Sequence, residues 1–435
     1  MNSKLELMKN GNIKKALLSL GLPTIIGLLM TGFYNFIDSY FVAQLGTEAM
    51  GAISITYPLI TLIPGFALLF GNGAAAFISK LLGSNENEQA EYVLASTMTY
   101  VFAFSILIQG SLFFLAEILT ALGASKAVLP YALDYSKILF ISFLFHIPSV
   151  ALMNLVRAEG AIALSTASQI VGAVLNIVLD PLLIFKLDMG IEGAALATAI
   201  AQFVSFSMLI SYYLFDYSIL KISLDKVKIK KWIILPILKV GIPLFAINFF
   251  QSTALGLANK FASSYGDTSV AALGIVNRVI GMSTFAITGF SRGYQTLISY
   301  NYGANNMERV KEATKTAMIW SILGAIGLSA VQIFFSSGIV NAFSDNGLVI
   351  SKGMTAMFGG SIFFWTYGFQ AIGVILLLSI GRNASGFIFS IARQGLIFIP
   401  SIFILNYFMG EMGVFYEQGI ADLITTLLLM GFLYS

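Results

Sequence analysis

The sequence predicts an all-α polytopic membrane protein: twelve transmembrane helices in two six-helix lobes related by a pseudo-two-fold axis. Three observations predict it. Of the 435 residues, 57% are hydrophobic and only 10% charged, with a mean hydropathy of +0.87; that is too little charge to cover a water-soluble surface of this size. Runs such as Ile13 to Val42, Ala52 to Ile78 and Ile319 to Phe335 reach the roughly 20 apolar residues that cross a hydrocarbon core of about 30 Å. Finally, the chain repeats itself at an offset of 220 positions, so that Leu18 through Gly21-Leu22-Pro23 falls on Leu238 through Gly241-Ile242-Pro243 without a gap. The same offset carries Gly46-Thr47-Glu48-Ala49 onto Gly266-Asp267-Thr268-Ser269 and Gly193 onto Gly413. Such a repeat within an apolar chain is a signature of transporters built on internal duplication.

Hydropathy places the first copy's spans near 14–41, 50–79, 91–118, 129–156, 162–185 and 192–215. The first follows Lys4, Lys9, Lys14 and Lys15 and has no small-residue cleavage site before it, so it is read as a retained span. Its Pro23, like Pro243 in the second copy, is a hinge or a tolerated kink near a cytoplasmic helix end. In the second span, Gly71-Asn72-Gly73 lacks the lysine of a phosphate loop and reads as a site of close helix packing. The fourth carries the single histidine, His146, beside Pro148; helix packing is the simpler role for it, proton relay the other. The second copy's spans follow near 233–262, 269–299, 312–335, 350–379, 384–408 and 415–434. There Met282, Phe285 and Phe290 either line an adaptable drug cleft or face lipid and neighbouring helices.

On this register the lysines at the amino end share one side with Lys221, Lys226, Lys228, Lys230 and Lys231 and with Arg309, Lys311 and Lys315. The bias of basic residues makes that side cytoplasmic and puts both termini there. Six spans per copy is an even number, so both copies enter the bilayer in the same orientation, about an axis along the membrane normal, and a cleft between them is the expected route. The expected organisation is a lobe at 1–215, a basic cytoplasmic connector at 216–231 and a second lobe at 232–435. There is no cysteine, which excludes disulfides, thiolate metal sites and cysteine nucleophiles. With one histidine and no HExxH pattern, no enzyme site, no resident cofactor or metal and no nucleic-acid partner are expected.

Asp38 and Asp180 stand inside the first and fifth spans. A carboxylate at the bilayer centre costs about 2.5 to 3.5 kcal/mol on insertion scales, which makes an intramembrane acid a functional candidate. At 1.5 Å per residue, Asp38 lies about 12 Å and Asp180 about 9 Å below the outer ends. Asn176 is four residues before Asp180 and shares its helix face. Thr198, Tyr135 and Tyr34 fall at similar depth. Such a set can hold a shared proton or ligate a small hard cation through oxygen; capping by neighbouring hydroxyls is the structural alternative. At the repeat offset, Asp38 falls on Ala258 and, with a one-residue shift, Asp180 on Ser401. The second copy instead has Lys260, Arg278, Arg292 and Arg393 within spans. These contact an anionic substrate or close a gate, or else pair, bond carbonyls or snorkel.

At these residues the chain resembles the multidrug and toxic compound extrusion (MATE) family, in particular its bacterial MepA-like exporters. The likeness spans essentially the whole chain. It rests on the duplicated twelve-span plan, Phe36-Ile37-Asp38-Ser39, Asn176-Ile177-Val178-Leu179-Asp180-Pro181 and Ala392-Arg393-Gln394. The resemblance implies a MATE/MOP-like fold, a cation-coupling site of Asp38, Asp180, Asn176 and Thr198 with Tyr34 and Tyr135 in support, and a first helix bent at Pro23. Relatives place a glutamate where this chain has Gln251, and an amide does not titrate, so Gln251, Lys260, Arg278 and Arg393 are left as second-lobe cleft candidates.

What the resemblance implies in function is secondary antiport: export of lipophilic, often cationic drugs or toxic compounds across the cytoplasmic membrane of a bacterium, by alternating access, in exchange for H+, with Na+ as the second choice. The partners are then those small molecules and the lipid bilayer, and the chain is expected to be monomeric. The alternative is a lipid-linked oligosaccharide flippase of the same broad architecture, which needs cationic side chains to grip phosphates.

Overall fold

The structure, a computed structural model, describes residues 11–83, 85–159 and 161–434, without the side chains of several of them, Tyr34 and Lys80 included. In chain order the helices are α1 (Ile13–Ala43), α2 (Thr47–Gly83), α3 (Asn87–Leu107), α4 (Leu115–Ala121), α5 (Val128–Ala158), α6 (Ile162–Pro181), α7 (Gly190–Leu214) and α8 (Lys231–Ser263). They continue as α9 (Asp267–Gly303), α10 (Met307–Phe334), α11 (Ser336–Asn341), α12 (Gly347–Ser361), α13 (Trp365–Ser379), α14 (Asn383–Ile391), α15 (Phe398–Met409) and α16 (Glu411–Tyr434). A 3-10 segment, Ile108–Phe114, joins α3 to α4. Single π-helical segments, Leu182–Lys186 and Ala392–Leu396, follow α6 and α14.

Ten helices among the described residues are long and apolar enough to span a bilayer, and an eleventh span results if α12 and α13, bent by 42° at their junction, count as one. In a bilayer every backbone polar group must be satisfied internally, and helices do so within one segment. The 24 residues of α16, which carry Glu411, Glu417 and Asp422, fall outside that set. The twelve-span expectation thus stands as ten to eleven spans by length and composition, with α16 as a polar-bearing helix of spanning length.

The duplication is written in the backbone as well. Helices α2 and α9 are each 37 residues long, with boundaries 220 positions apart. Both are preceded by a glycine at positive φ, Gly46 at 118° and Gly266 at 103°, a conformation that a Cβ disfavours and that ends the preceding helix sharply. Their following turns repeat too: Asn85 at φ 59° and Asn305 at φ 55° use the left-handed region that asparagine tolerates. Helix starts are secured locally where water is the competitor. Asn12 accepts from the Lys14 and Lys15 amides at 2.9 and 3.3 Å, and Asn346 from Leu348 and Val349 at 3.0 and 3.4 Å.

Packing divides the chain into two compact units. One joins the segment up to Thr47 with the segment from Leu257 onward; the other is Glu48–Gly256. These units differ from the halves of the sequence repeat, since α1 packs with the second copy's helices and most of α8 with the first copy's.

In the first unit α1 lies against α9 at backbone contact. A Cβ added to Gly293 would sit 2.4 Å from the Gly21 Cα, and one on Gly289 would sit 2.6 Å from the Ile25 Cα. Thr24 ties the pair, donating its hydroxyl to the Gly289 carbonyl at 2.7 Å as well as to Gly21 and Leu20 within its own helix. Pro23, which has no N–H to give the helix, therefore sits inside an unbroken α1 beside this tie. A cluster of Leu17, Phe290, Tyr294, Leu297, Ile298 and Ala313 closes over the contact.

The second unit repeats the device with α8 and α2. A Cβ on Gly241 would lie 1.9 Å from the Leu69 carbonyl oxygen, and one on Gly73 would lie 2.2 Å from that of Ile237. Gly241 is the repeat partner of Gly21, and Gly293 that of Gly73. Gly71, also facing a neighbour, would put its Cβ 2.8 Å from the Ala151 Cα, so the Gly71-Asn72-Gly73 stretch is a packing site. The connector belongs to this unit as well. It is strapped along α3 by a Lys226–Glu91 ion pair, by the Lys221 amide on Glu91 at 3.0 Å, and by Ser96 and Tyr100, which donate to the Lys228 carbonyl at 3.1 and 3.0 Å. Lys228 also lies 3.8 Å over the Tyr92 ring.

Candidate functional site

The last two turns of α6 and the first half of α7 bring three of the sequence-predicted residues into bonding contact. Asn176 donates through Nδ2 to the Asp180 Oδ1 at 3.3 Å and to the Thr198 Oγ1 at 3.2 Å. Asp180 and Asn176 are fully buried and Thr198 is 6% exposed. The i,i+4 spacing of Asn176 and Asp180 stacks them on one helix face, while Thr198 reaches them because α6 and α7 pack along their length. The π-helical segment that begins directly after Pro181 marks this end of α6; such insertions recur at functional sites. The Asn176 Oδ1 is buried with no hydrogen-bond partner among the described residues. An acceptor left open beside a carboxylate is what a proton carrier or a small cation needs. Tyr135, 3% exposed on α5, belongs to the same unit.

Asp38 belongs to the other unit. It stands on α1 with its Oδ1 buried and accepting no hydrogen bond from the described residues. Next to it, Ser39 receives a hydrogen bond from the Arg278 guanidinium of α9, whose Nη1 also donates to the Gly274 carbonyl at 2.9 Å. Arg278 also acts electrostatically on Asp38. The structure therefore assigns Arg278, expected only as a second-lobe cleft residue, to the surroundings of the first-copy acid. The side chain of Tyr34 lies outside the described residues.

The remaining candidates are placed differently. Lys260 is exposed in the last turn of α8, where a cation suits the helix carboxyl end and can reach the interface. Arg292 is exposed on α9, and Gln251 is half-buried on α8 in the second unit. His146 stacks near the Phe143 ring one turn earlier on α5. Phe290 is a core residue, and Phe285 with Met282 packs where Gly32 leaves room on α1.

Arg393 opens the part of the site that sequence reading missed. It forms a bidentate ion pair with Asp422, Nε to Oδ1 at 2.6 Å and Nη2 to Oδ2 at 3.2 Å, with 11% and 1% of the two side chains exposed. Gln418 donates to the same Asp422 oxygen at 2.9 Å. Gln370 donates to the Asp422 carbonyl at 2.6 Å and to Thr426 at 2.9 Å. The Arg393 guanidinium carbon lies 4.0 Å from the centre of the Tyr367 ring, and the Tyr367 hydroxyl bonds Thr288 at 2.9 Å. One further acid on α16, Glu417, is 3% exposed, and its Oε2 has no hydrogen-bond partner among the described residues. Both acids lie within the last apolar run, so the rule that singled out Asp38 and Asp180 applied to them equally.

Apolar helices long enough to span a bilayer that bury ionisable groups, duplicated along the chain, are the build of a multi-pass membrane transporter. The sequence model of the MatE family matches residues 23–182 and 243–431, once in each copy of the repeat, and the chain belongs to that family. It is 30% identical, over its whole length and 96% of the relative, to the multidrug export protein MepA of Staphylococcus aureus (strain NCTC 8325 / PS 47), and 30% identical on the same terms to MepA of Staphylococcus haemolyticus (strain JCSC1435). Among solved structures it is similar to that of the MATE multidrug transporter DinF-BH, at a TM-score of 0.78 and 30% identity, covering 97% of this chain and 95% of that one. It also shares its fold, at a TM-score of 0.86 and 22% identity over 92% of each chain, with an inward-facing multidrug resistance MATE family transporter of the MOP superfamily.

Proposed function

We propose that this chain is a cation-coupled antiporter exporting lipophilic, often cationic compounds across the cytoplasmic membrane of a bacterium. The observation that carries the proposal is the buried Asn176–Asp180–Thr198 set, with open acceptor capacity at the Asn176 Oδ1 and at the Asp38 Oδ1. A carboxylate buried within a bilayer is stabilised when it binds a proton or a small cation. H+ is the first choice of coupling ion and Na+ the second. The names of the MepA relatives and of the DinF-BH multidrug transporter support a drug substrate. In this proposal α16 completes twelve spans, both termini are cytoplasmic, residues 1–215 and 232–435 are the six-helix lobes joined by 216–231, and the working unit is a monomer.

In the cycle, a compound is taken from the cytoplasmic side, the protein turns outward, and cation uptake at Asp38 and Asp180 favours release. One charge moving inward down 100 mV supplies about 2.3 kcal/mol, and it shifts the cycle only through different affinities for the two states. The phosphate grip of a flippase is less well supported, because Arg278 and Arg393 already hold protein partners. Ethidium export from cells making Asp38→Asn or Asp180→Asn protein at the parent level tests the assignment. Export should fall to that of cells without the protein; export at the parent rate by either variant would remove its acid from the coupling site.

A further inference from the structure

The last helix holds an acid that the coupling site does not use. Glu417 stands on α16 at 3% exposure with its Oε2 buried and without a hydrogen-bond partner among the described residues. Counted along the helix axis it is about 10 Å below Gly410, against about 12 Å for Asp38 below Gly46. The two acids thus share one depth. The repeat gives the position meaning: at the offset of 220, Gln418 falls on Thr198, a member of the first-copy site, so Glu417 adjoins the second-copy counterpart of that residue.

The charges around it decide its state. Helix α16 packs against α12, α13, α15 and the π-helical segment Ala392–Leu396. The ionisable groups on these elements are Lys352, Tyr367, Tyr407 and Arg393, and α16 itself carries Glu411, Tyr416, Asp422 and Tyr434. Lys352 is bound to Glu411 at 2.8 Å and to Ser269 at 2.6 Å near the helix start. The guanidinium of Arg393 is taken by Asp422 through both oxygens. Tyr407 is exposed. Each cation on the packed elements is therefore committed to another acid. An ionised Glu417 would be an uncompensated charge away from water, which the interior of a bilayer protein does not sustain.

We propose that Glu417, on the helix that also carries the Arg393–Asp422 pair, holds an exchangeable proton and forms a proton-binding site in the second copy of the repeat, independent of Asp38 and Asp180. The step is addition of H+ to a carboxylate oxygen on one arm of the transport cycle and its loss to water on the other. The inference builds on the reading of this chain as a cation-coupled transporter and adds a second carrier to it.

Infrared difference spectra of the purified protein in lipid, recorded as pH is stepped, report protonated carboxyl groups directly without reference to drug movement. A carboxyl C=O band that titrates in the parent should be lost in Glu417→Gln, persist in Asp38→Asn and Asp180→Asn, and shift in frequency in Glu417→Asp. A Glu417→Gln spectrum superimposable on the parent's overturns the proposal. If Glu417→Gln does not fold, Glu417→Asp decides alone: a shifted band supports the site and an unshifted one overturns it. Should the band vanish in Glu417→Gln while Asp38→Asn and Asp180→Asn titrate like the parent, the second-copy site stands and proton binding at the first-copy acids fails.

Discussion

Arg393 and Asp422 show how one side chain can be visible in a sequence while its role is not. An arginine in an apolar run announces itself, but its partner is 29 residues away on another helix, and no periodicity joins the two. The pair is nearly sealed, so breaking it leaves a charge that neither lipid nor water compensates, at a cost of about 3–5 kcal/mol. Asp422→Ala and Arg393→Ala should each lower the midpoint of thermal unfolding in detergent, whereas the Arg393→Met, Asp422→Leu double variant should recover most of the loss; additive losses would show that the two do not act as a pair. Tyr367→Leu should cost less, about 0.5–2 kcal/mol, because it removes only the aromatic face beneath the guanidinium. Asn176 and Asp180 were legible because their spacing alone puts them on one helix face. Glu417 and Asp422 follow the same rule for intramembrane acids and were open to the same reading.

Helix boundaries were legible to within a few residues wherever a glycine or an asparagine at positive φ separates two apolar runs, as at Gly46, Gly266 and Asn305. What lay hidden were features that do not change apolar content: the 42° bend between α12 and α13 and the 3-10 segment after α3. Partner choice was hidden too, since Gly289 and Gly293 mark a smooth face on α9 without naming α1 as the helix that uses it. The close approach supplies the test. Gly293→Val must push α1 from α9, because even a Cβ there would lie 2.4 Å from backbone, and overpacking of this kind costs about 1–3 kcal/mol. Gly27→Ala, on the same α1 but with nothing within 4 Å of the added methyl, should instead be neutral or stabilising by about 0.5–1 kcal/mol. Unfolding midpoints of the two variants check the pair; equal losses would contradict the backbone contact.

At the scale of the molecule, duplication was legible and its packing was not. Sequence similarity at an offset of 220 groups residues by ancestry, whereas compactness groups α1 with the second copy and most of α8 with the first, because the glycines that allow backbone contact stand on helices of opposite copies. The connector, expected as a plain basic loop, is held along α3. Hydrogen bonding to Glu91 is the largest cause raising the Lys226 pKa. A raised lysine value means that the tie is intact below the ordinary lysine range, about 10.4, and is lost only as pH climbs through the higher folded value, so it persists throughout the physiological range. Glu91→Gln should free the strap at neutral pH and speed tryptic cleavage after Lys226; an unchanged rate would show that the strap is held by other contacts.

The central claim is that buried acids couple a cation gradient to export, and gradient-driven uptake into proteoliposomes tests it most directly. With purified protein and a fluorescent organic cation outside, an interior-acid pH gradient or an outward Na+ gradient is imposed separately. Uptake driven by the pH gradient, and abolished in Asp38→Asn and Asp180→Asn, is the predicted result. Uptake indifferent to both gradients would contradict the account.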